Sequence, residues 1–157
     1  MIRRANRNDT DQILRLLTQV NEVHARLRPD LFRLGTKYSA EELEEIFEEE
    51  DRPVFVLEEE GVIRGYLFAW ILPHRDDRIL VPSTEFYIDD LCVDEAARGQ
   101  HVASELFAYA KEYAKENGCY HITLHVWEGN DSALAFYRAM GMTPQKTKLE
   151  YILSPPC

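Results

Sequence analysis

The chain has 157 residues, 45% of them hydrophobic and 29% charged. That suits one water-soluble domain around one core, and no apolar run approaches the ~20 residues of a membrane span. A formal net charge of −10 argues against general nucleic-acid binding, which needs a basic face, and is compatible with a cationic partner such as an amine; solubility alone is the bland alternative.

The opening "MIRRANRND" is basic but lacks the apolar block of a signal peptide, so a cytoplasmic location is expected. The cysteines fit a reducing compartment: Cys92, Cys119 and Cys157 are odd in number, widely spaced and form no CxxC pair, which argues against a disulfide framework or zinc knuckle.

Residues 1–7 are read as a short first strand. A helix follows from about Asp9 to Arg28, because Ile13, Leu16, Leu17, Val20, Val23 and Leu27 recur at three-to-four spacing and Pro29 stops it. A second helix begins at Ser39, whose spacing to Glu42 is that of a capping box. The intervening "RPDLFRLGTKY" is a loop with enough apolar residues to pack on something. "VFVLEEEGVIRGYLFAWIL" (54–72) reads as a hairpin turning near Gly61, and "STEFYIDDLCV" (83–93) as another strand. In that strand alternation puts Glu85, Tyr87 and Asp89 on one face and Asp90 on the other. Residues 102–117 form an amphipathic helix ending at Gly118. "YHITLHVW" (120–127) is a strand, 130–141 a short helix capped by Asn130 or Asp131, and "QKTKLEYIL" (145–153) a final strand. The strand-helix-strand unit 83–127 implies a parallel pair with right-handed crossover, and the earlier hairpin implies antiparallel pairing. The expected fold is one α/β domain with a mixed sheet flanked by helices.

The break between strand 83–93 and helix 102–117 carries chemistry. The first turn of a helix leaves four amide N–H groups without intrahelical partners, and the helix dipole adds positive charge there. The amides of Gln100, His101, Val102, Ala103 and Ser104 can therefore cradle an anion, Arg98 adds a formal charge, and Gly99 lets the chain turn. No Walker loop and no GxGxxG is present. An ordinary strand-to-helix turn is the alternative reading of this spacing alone.

With "NDSALAFYRAMGM" following the parallel strand at once, the sequence resembles the GNAT superfamily of acetyl-coenzyme A-dependent N-acetyltransferases. The resemblance runs along nearly the whole chain and is strongest over 88–104 and 127–142. The family's phosphate loop reads Arg/Gln-x-x-Gly-x-Gly/Ala. Here Arg98-Gly99-Gln100-His101-Val102-Ala103 keeps the first and last positions but has His101 where glycine is usual, so that side chain must turn away from the phosphates or crowd them.

The resemblance implies acetyl-CoA as cosubstrate and a central parallel pair that splays apart. It implies that amides 99–104 hold the pyrophosphate and that Leu91 and Val93 pair their backbone with the pantetheine arm. An N–H near Leu91 or Cys92 would polarise the thioester, and Asn130 and Phe136 would form the other wall. Tyr137 matches the family's general acid, which protonates the leaving thiolate. The loop region with His24, Arg28, Phe32 and Tyr38, together with Tyr87, lines the acceptor side. An alkylamine costs roughly 4–5 kcal/mol to deprotonate at pH 7, so a carboxylate base helps; Asp89 is favoured and Glu85 is second. No metal is expected, since His121 and His125 in a strand lie ~13 Å apart. The expected acceptor is a small-molecule primary amine. The alternatives are a protein N-terminus or lysine, or a catalytically silent CoA-binding module. No nucleic-acid or membrane partner is expected, and a homodimer stays open.

Overall fold

A computed structural model of the chain describes residues 1–154, so Cys157 lies outside the described residues. The elements in chain order are β1 (Ile2–Arg4), α1 (Thr10–Leu27), α2 (Ala40–Glu48), β2 (Val54–Glu59), β3 (Val62–His74), β4 (Ser83–Val93), α3 (Val102–Glu116), β5 (His121–Thr123) and α4 (Asp131–Ala139). Single 3-10 turns precede α1 and α3. The strands form one sheet in the order β1-β2-β3-β4-β5, in which only β4 and β5 are parallel.

Period-two alternation along the strands divides the core in two. Val54, Val56, Tyr66, Phe68 and Cys92 face α1 and α2, where they meet Ile13, Leu16, Leu17, Leu43 and Ile46. Phe55, Leu57, Leu67, Ala69, Phe86 and Ile88 face the other way and pack on Val102, Leu106, Phe107, Ala110 and Ala114 of α3. Local signals set the element ends. Ser39 and Glu42 form the expected capping box at the start of α2. Glu60 and Gly61 both take positive φ, 51° and 79°, which matches the twist of a two-residue hairpin between β2 and β3. β1 is tied to the start of α1 by Arg3, whose Nη1 and Nη2 each donate to buried Asp9 at 2.8 Å; Asp9 also accepts from the Asn6 amide.

Three expectations are corrected. The strand read over 120–127 keeps only His121–Thr123 as ladder, because β5 parts from β4 after the Tyr87–Thr123 pair and 124–127 have no strand partner among the described residues. Residues 145–153 form no strand: they are exposed, Glu150 pairs with Arg28 just after α1, and no described strand takes them as a neighbour. Asp90 does not face away from Asp89. The β3–β4 register shifts between Phe68 and Ala69, so that Phe68 pairs with Asp90 and Ala69 with Ile88. Asp89 is the extra residue of a bulge, and the bulge turns both aspartates to the α1/α2 side.

Gly65 on β3 decides how closely α3 approaches. A Cβ there would sit 2.8 Å from Val102 Cγ1 and 2.9 Å from the Cys92 carbonyl oxygen. Gly65→Ala is expected to cost about 1–3 kcal/mol in denaturant unfolding by pushing the first turn of α3 off the sheet. Stability unchanged within a few tenths of a kcal/mol would contradict this packing.

Candidate active site

The site begins where β4 and β5 diverge. β5 covers only Glu85, Phe86 and Tyr87 of β4, in register with His121, Ile122 and Thr123. Beyond that point β4 pairs with β3 alone, through Leu91↔Leu67, Cys92↔Tyr66 and Val93↔Gly65. Among the described residues, the edge of 88–93 that faces β5 has no strand partner, so its backbone groups are open to an extended ligand. Cys92 itself points into the α1 side, where it is buried and its thiol donates to the Leu16 carbonyl at 3.5 Å; burial pushes that thiol up to about 12, which makes it a packing group rather than a nucleophile.

The chain then passes through the exposed Arg98-Gly99-Gln100-His101 loop into α3. Gly99 has φ 77°, with nothing within 4 Å of where its Cβ would be. His101 is the N-cap residue and sits in the left-handed region at φ 62°, ψ 17°, a conformation that glycine adopts freely and histidine tolerates. The backbone is thus that of the glycine usual at this position. No side chain caps α3 here, and the first intrahelical bond to this turn is Glu105 N–H to the His101 carbonyl. The amides of Val102, Ala103 and Ser104 are left as a donor set that fits an anion such as a pyrophosphate.

On the other wall, α4 is capped by Asn130, whose Oδ1 accepts from the Ala133 amide at 3.4 Å, leaving its Nδ2 as a donor. Phe136 and Tyr137 pack toward the α3 layer, with Tyr137 6.4 Å from Phe107 between ring centroids. Burial, and then the charge of Asp90, hold the Tyr137 phenol well above the usual tyrosine value, so it stays protonated. Among the described residues its hydroxyl has no hydrogen-bond partner.

The carboxylates differ in what they hold. Glu85 accepts from the Thr123 hydroxyl and pairs with His74 Nε2 at 2.8 Å. Burial works against its charge, but those two partners keep it below the ordinary glutamate value. Asp89 accepts from Lys37 Nζ at 2.9 and 2.8 Å and from the Tyr38 hydroxyl at 3.0 Å. Asp90 accepts from the buried Tyr66 hydroxyl at 2.6 Å. Burial pushes Asp90 up to about 6, against the opposing pull of Tyr66 and Lys37.

The acceptor-side residues form two groups. Tyr38 stacks on Phe68 and reaches Asp89, while the Tyr87 hydroxyl meets His125 Nδ1 at 3.0 Å. His24 lies 5.2 Å from Phe32, Phe32 lies edge-on to Trp127 at 5.4 Å, and Arg28 sits over the Trp127 ring at 5.8 Å. The sequence reading missed Lys37, Tyr66, Asp90 and Trp127. A doubled aspartate inside a strand is the one local signal that pointed to Asp90; the other three are joined by contacts far apart in sequence.

The chain matches the Acetyltransferase (GNAT) family over residues 20–142. No curated protein sequence matches it. Among solved structures, a mutant protein from Bacillus halodurans is 31% identical, with 98% of this chain and 99% of that chain covered and a TM-score of 0.94. An aminoglycoside acetyltransferase from an uncultured soil metagenomic sample, in complex with trehalose, is 24% identical with 98% and 96% covered and a TM-score of 0.75. An aminoglycoside N-acetyltransferase in complex with CoA is 18% identical with 98% and 99% covered and a TM-score of 0.72; these last two share the fold. With its mixed sheet, its parted parallel strands and a family match over most of its length, the chain belongs to the acetyltransferase (GNAT) family.

Proposed function

We propose that the protein transfers an acetyl group from acetyl-CoA to an amine, with a small cationic molecule as the preferred acceptor. The observation that carries this reading is the uncapped start of α3, entered through two left-handed residues, beside the open edge of β4. Acetyl-CoA supplies an activated thioester, a pyrophosphate and an amide-bearing arm.

In this reading the amides of Gly99, Gln100, His101, Val102, Ala103 and Ser104 hold the pyrophosphate, and Arg98 adds charge. Leu91 and Val93 pair their backbone with the arm from one side, and Asn130 Nδ2 and Phe136 meet it from the other. An N–H at Leu91 or Cys92 polarises the acyl oxygen. Tyr137, kept protonated, gives its proton to the leaving sulfur as the amine nitrogen bonds to the acyl carbon and the C–S bond breaks.

The base is Asp89 or Asp90 rather than Glu85, which lies on the stretch of β4 that β5 still covers and is held there by Thr123 and His74. Asp89 already holds an internal ammonium, that of Lys37, so a cationic acceptor has a carboxylate of the right chemistry to compete for. Asp90 is near neutrality in its proton affinity, which suits a group that must take a proton at physiological pH. The net charge of −10 and the aminoglycoside acetyltransferases of like fold support a small cationic acceptor.

Two measurements test the assignment. Tyr137→Phe is expected to lower turnover on the order of 10²-fold, read as thiol release from acetyl-CoA with a panel of amines, while acetyl-CoA binding is unchanged. Unchanged turnover removes Tyr137 as the acid. Thiol release with no member of the panel would favour the silent coenzyme-binding module, and transfer to peptides alone would favour a protein acceptor. If Asp90 is the base, it works only when deprotonated, so kcat/KM is expected to rise with pH through an inflection near the value of about 6. Asp90→Asn is expected to abolish that limb, and the same limb in the variant would remove Asp90 from the role.

A further inference from the structure

Lys37 differs from the other cations around it. Every other lysine or arginine position in residues 1–110 holds an arginine; Lys111, Lys115, Lys146 and Lys148 all come later. An arginine fork pairs with a carboxylate at least as well as an ammonium does, and its guanidinium never loses its proton. A lysine carries a primary amine, which becomes a nucleophile once deprotonated.

That amine is held at the candidate active site. Lys37 Nζ donates to both oxygens of Asp89, at 2.9 and 2.8 Å. The next residue anchors the loop: the Tyr38 ring stacks on Phe68, and its hydroxyl donates to Asp89 and accepts from Arg52 at 3.4 Å. Asp89 is the bulge residue of β4, just before the stretch whose β5-facing edge is bare. Burial raises the Asp90 carboxyl, with the Tyr66 hydroxyl and then the Lys37 charge opposing it; burial and then the Asp90 charge raise the Tyr137 phenol. Amine, carboxylates and phenol therefore share one electrostatic neighbourhood. The Lys37 side chain is still 49% exposed, so it is not locked into the core.

We infer that Lys37 is itself an acceptor: with acetyl-CoA bound and no amine in the site, Nζ takes the acetyl group within its own chain. The Nζ–carbon bond forms as the C–S bond breaks. The ammonium gives up two protons in all. One passes through Asp89 to solvent, and the other goes to Tyr137 as that phenol protonates the leaving sulfur. The acetylated side chain carries no charge, so the ion pair with Asp89 is lost. The inference rests on the acetyl-transfer reading and adds a modification site to it.

The test incubates the full chain with acetyl-CoA alone and follows its lysines by peptide mass spectrometry. Lys37 is expected to gain one acetyl group at least ~100-fold faster than Lys111, Lys115, Lys146 and Lys148, whose rates report uncatalysed acetylation. The rate per chain is expected to stay constant as the protein is diluted, as transfer within one chain requires. With acetyl-CoA in excess, an amine that the enzyme acetylates is expected to protect Lys37. Tyr137→Phe is expected to slow acetylation of Lys37 by the same factor as transfer to that amine, because one site serves both. Lys37 modified no faster than the other lysines, at a rate proportional to protein concentration, or without regard to the competing amine overturns the inference. The two readings fail separately. Thiol release with an external amine beside an unmodified Lys37 overturns this inference alone, whereas release with neither overturns acetyl transfer as well.

Discussion

The structure depends on one divergence. After Tyr87 and Thr123 the two parallel strands stop pairing, and the backbone of β4 runs on with one edge bare. Unpaired backbone groups are costly when buried, so such an edge persists where it is open to solvent or to a ligand. The same strand then leads through the 98–101 loop to the start of α3, where another set of amides has no partner within the helix. A row of main-chain donors and acceptors ends in a cluster of donors with the positive end of a dipole behind it. That order suits an elongated ligand with an amide-rich arm and an anionic end.

What holds the divergence in place is close packing around α3. Gly65 lets Val102 rest against β3, and Phe107 carries Tyr137 on its far side, so the donor cluster and the phenol are both referenced to one helix. The bulge at Asp89 adds the electrostatic half. By placing one extra residue in β4 it sets two carboxylates side by side on the α1/α2 face, where an ordinary strand would separate them. Their partners then make them unlike. Asp89 is paired with Lys37 from the loop after α1, while Asp90 is half-buried with a phenol as its neighbour, and loss of solvent pushes its carboxyl up to about 6. Two adjacent residues of the same type thereby take on different chemistry.

Much of this was legible from local sequence. The three-to-four spacing and Pro29 bounded α1, Ser39 and Glu42 announced α2, and the strand 83–93 stands as Ser83–Val93. The bare start of α3 was also readable, because Gly99 and the uncapped helix start are properties of adjacent residues. What alternation could not reveal was where it breaks. Nothing in "YIDDLCV" marks Asp89 as the unpaired residue; the bulge is set by how β3 and β4 pack on opposite layers. Lys37 reaches Asp89 across 52 residues, a contact that no local pattern encodes. The segment 145–153 shows the converse limit. Its residues have strand character, but a strand is defined by a neighbour, and among the described residues this segment pairs with none.

The most direct test of the central claim is a calorimetric comparison of coenzyme A with pantetheine, which has the same arm and thiol but no diphosphate. If the amides after Arg98 grip the diphosphate, coenzyme A binds in the micromolar range and pantetheine at least 100-fold more weakly, a difference of about 2.7 kcal/mol. Equal affinities for the two, or no heat from coenzyme A at millimolar concentration, would contradict the account.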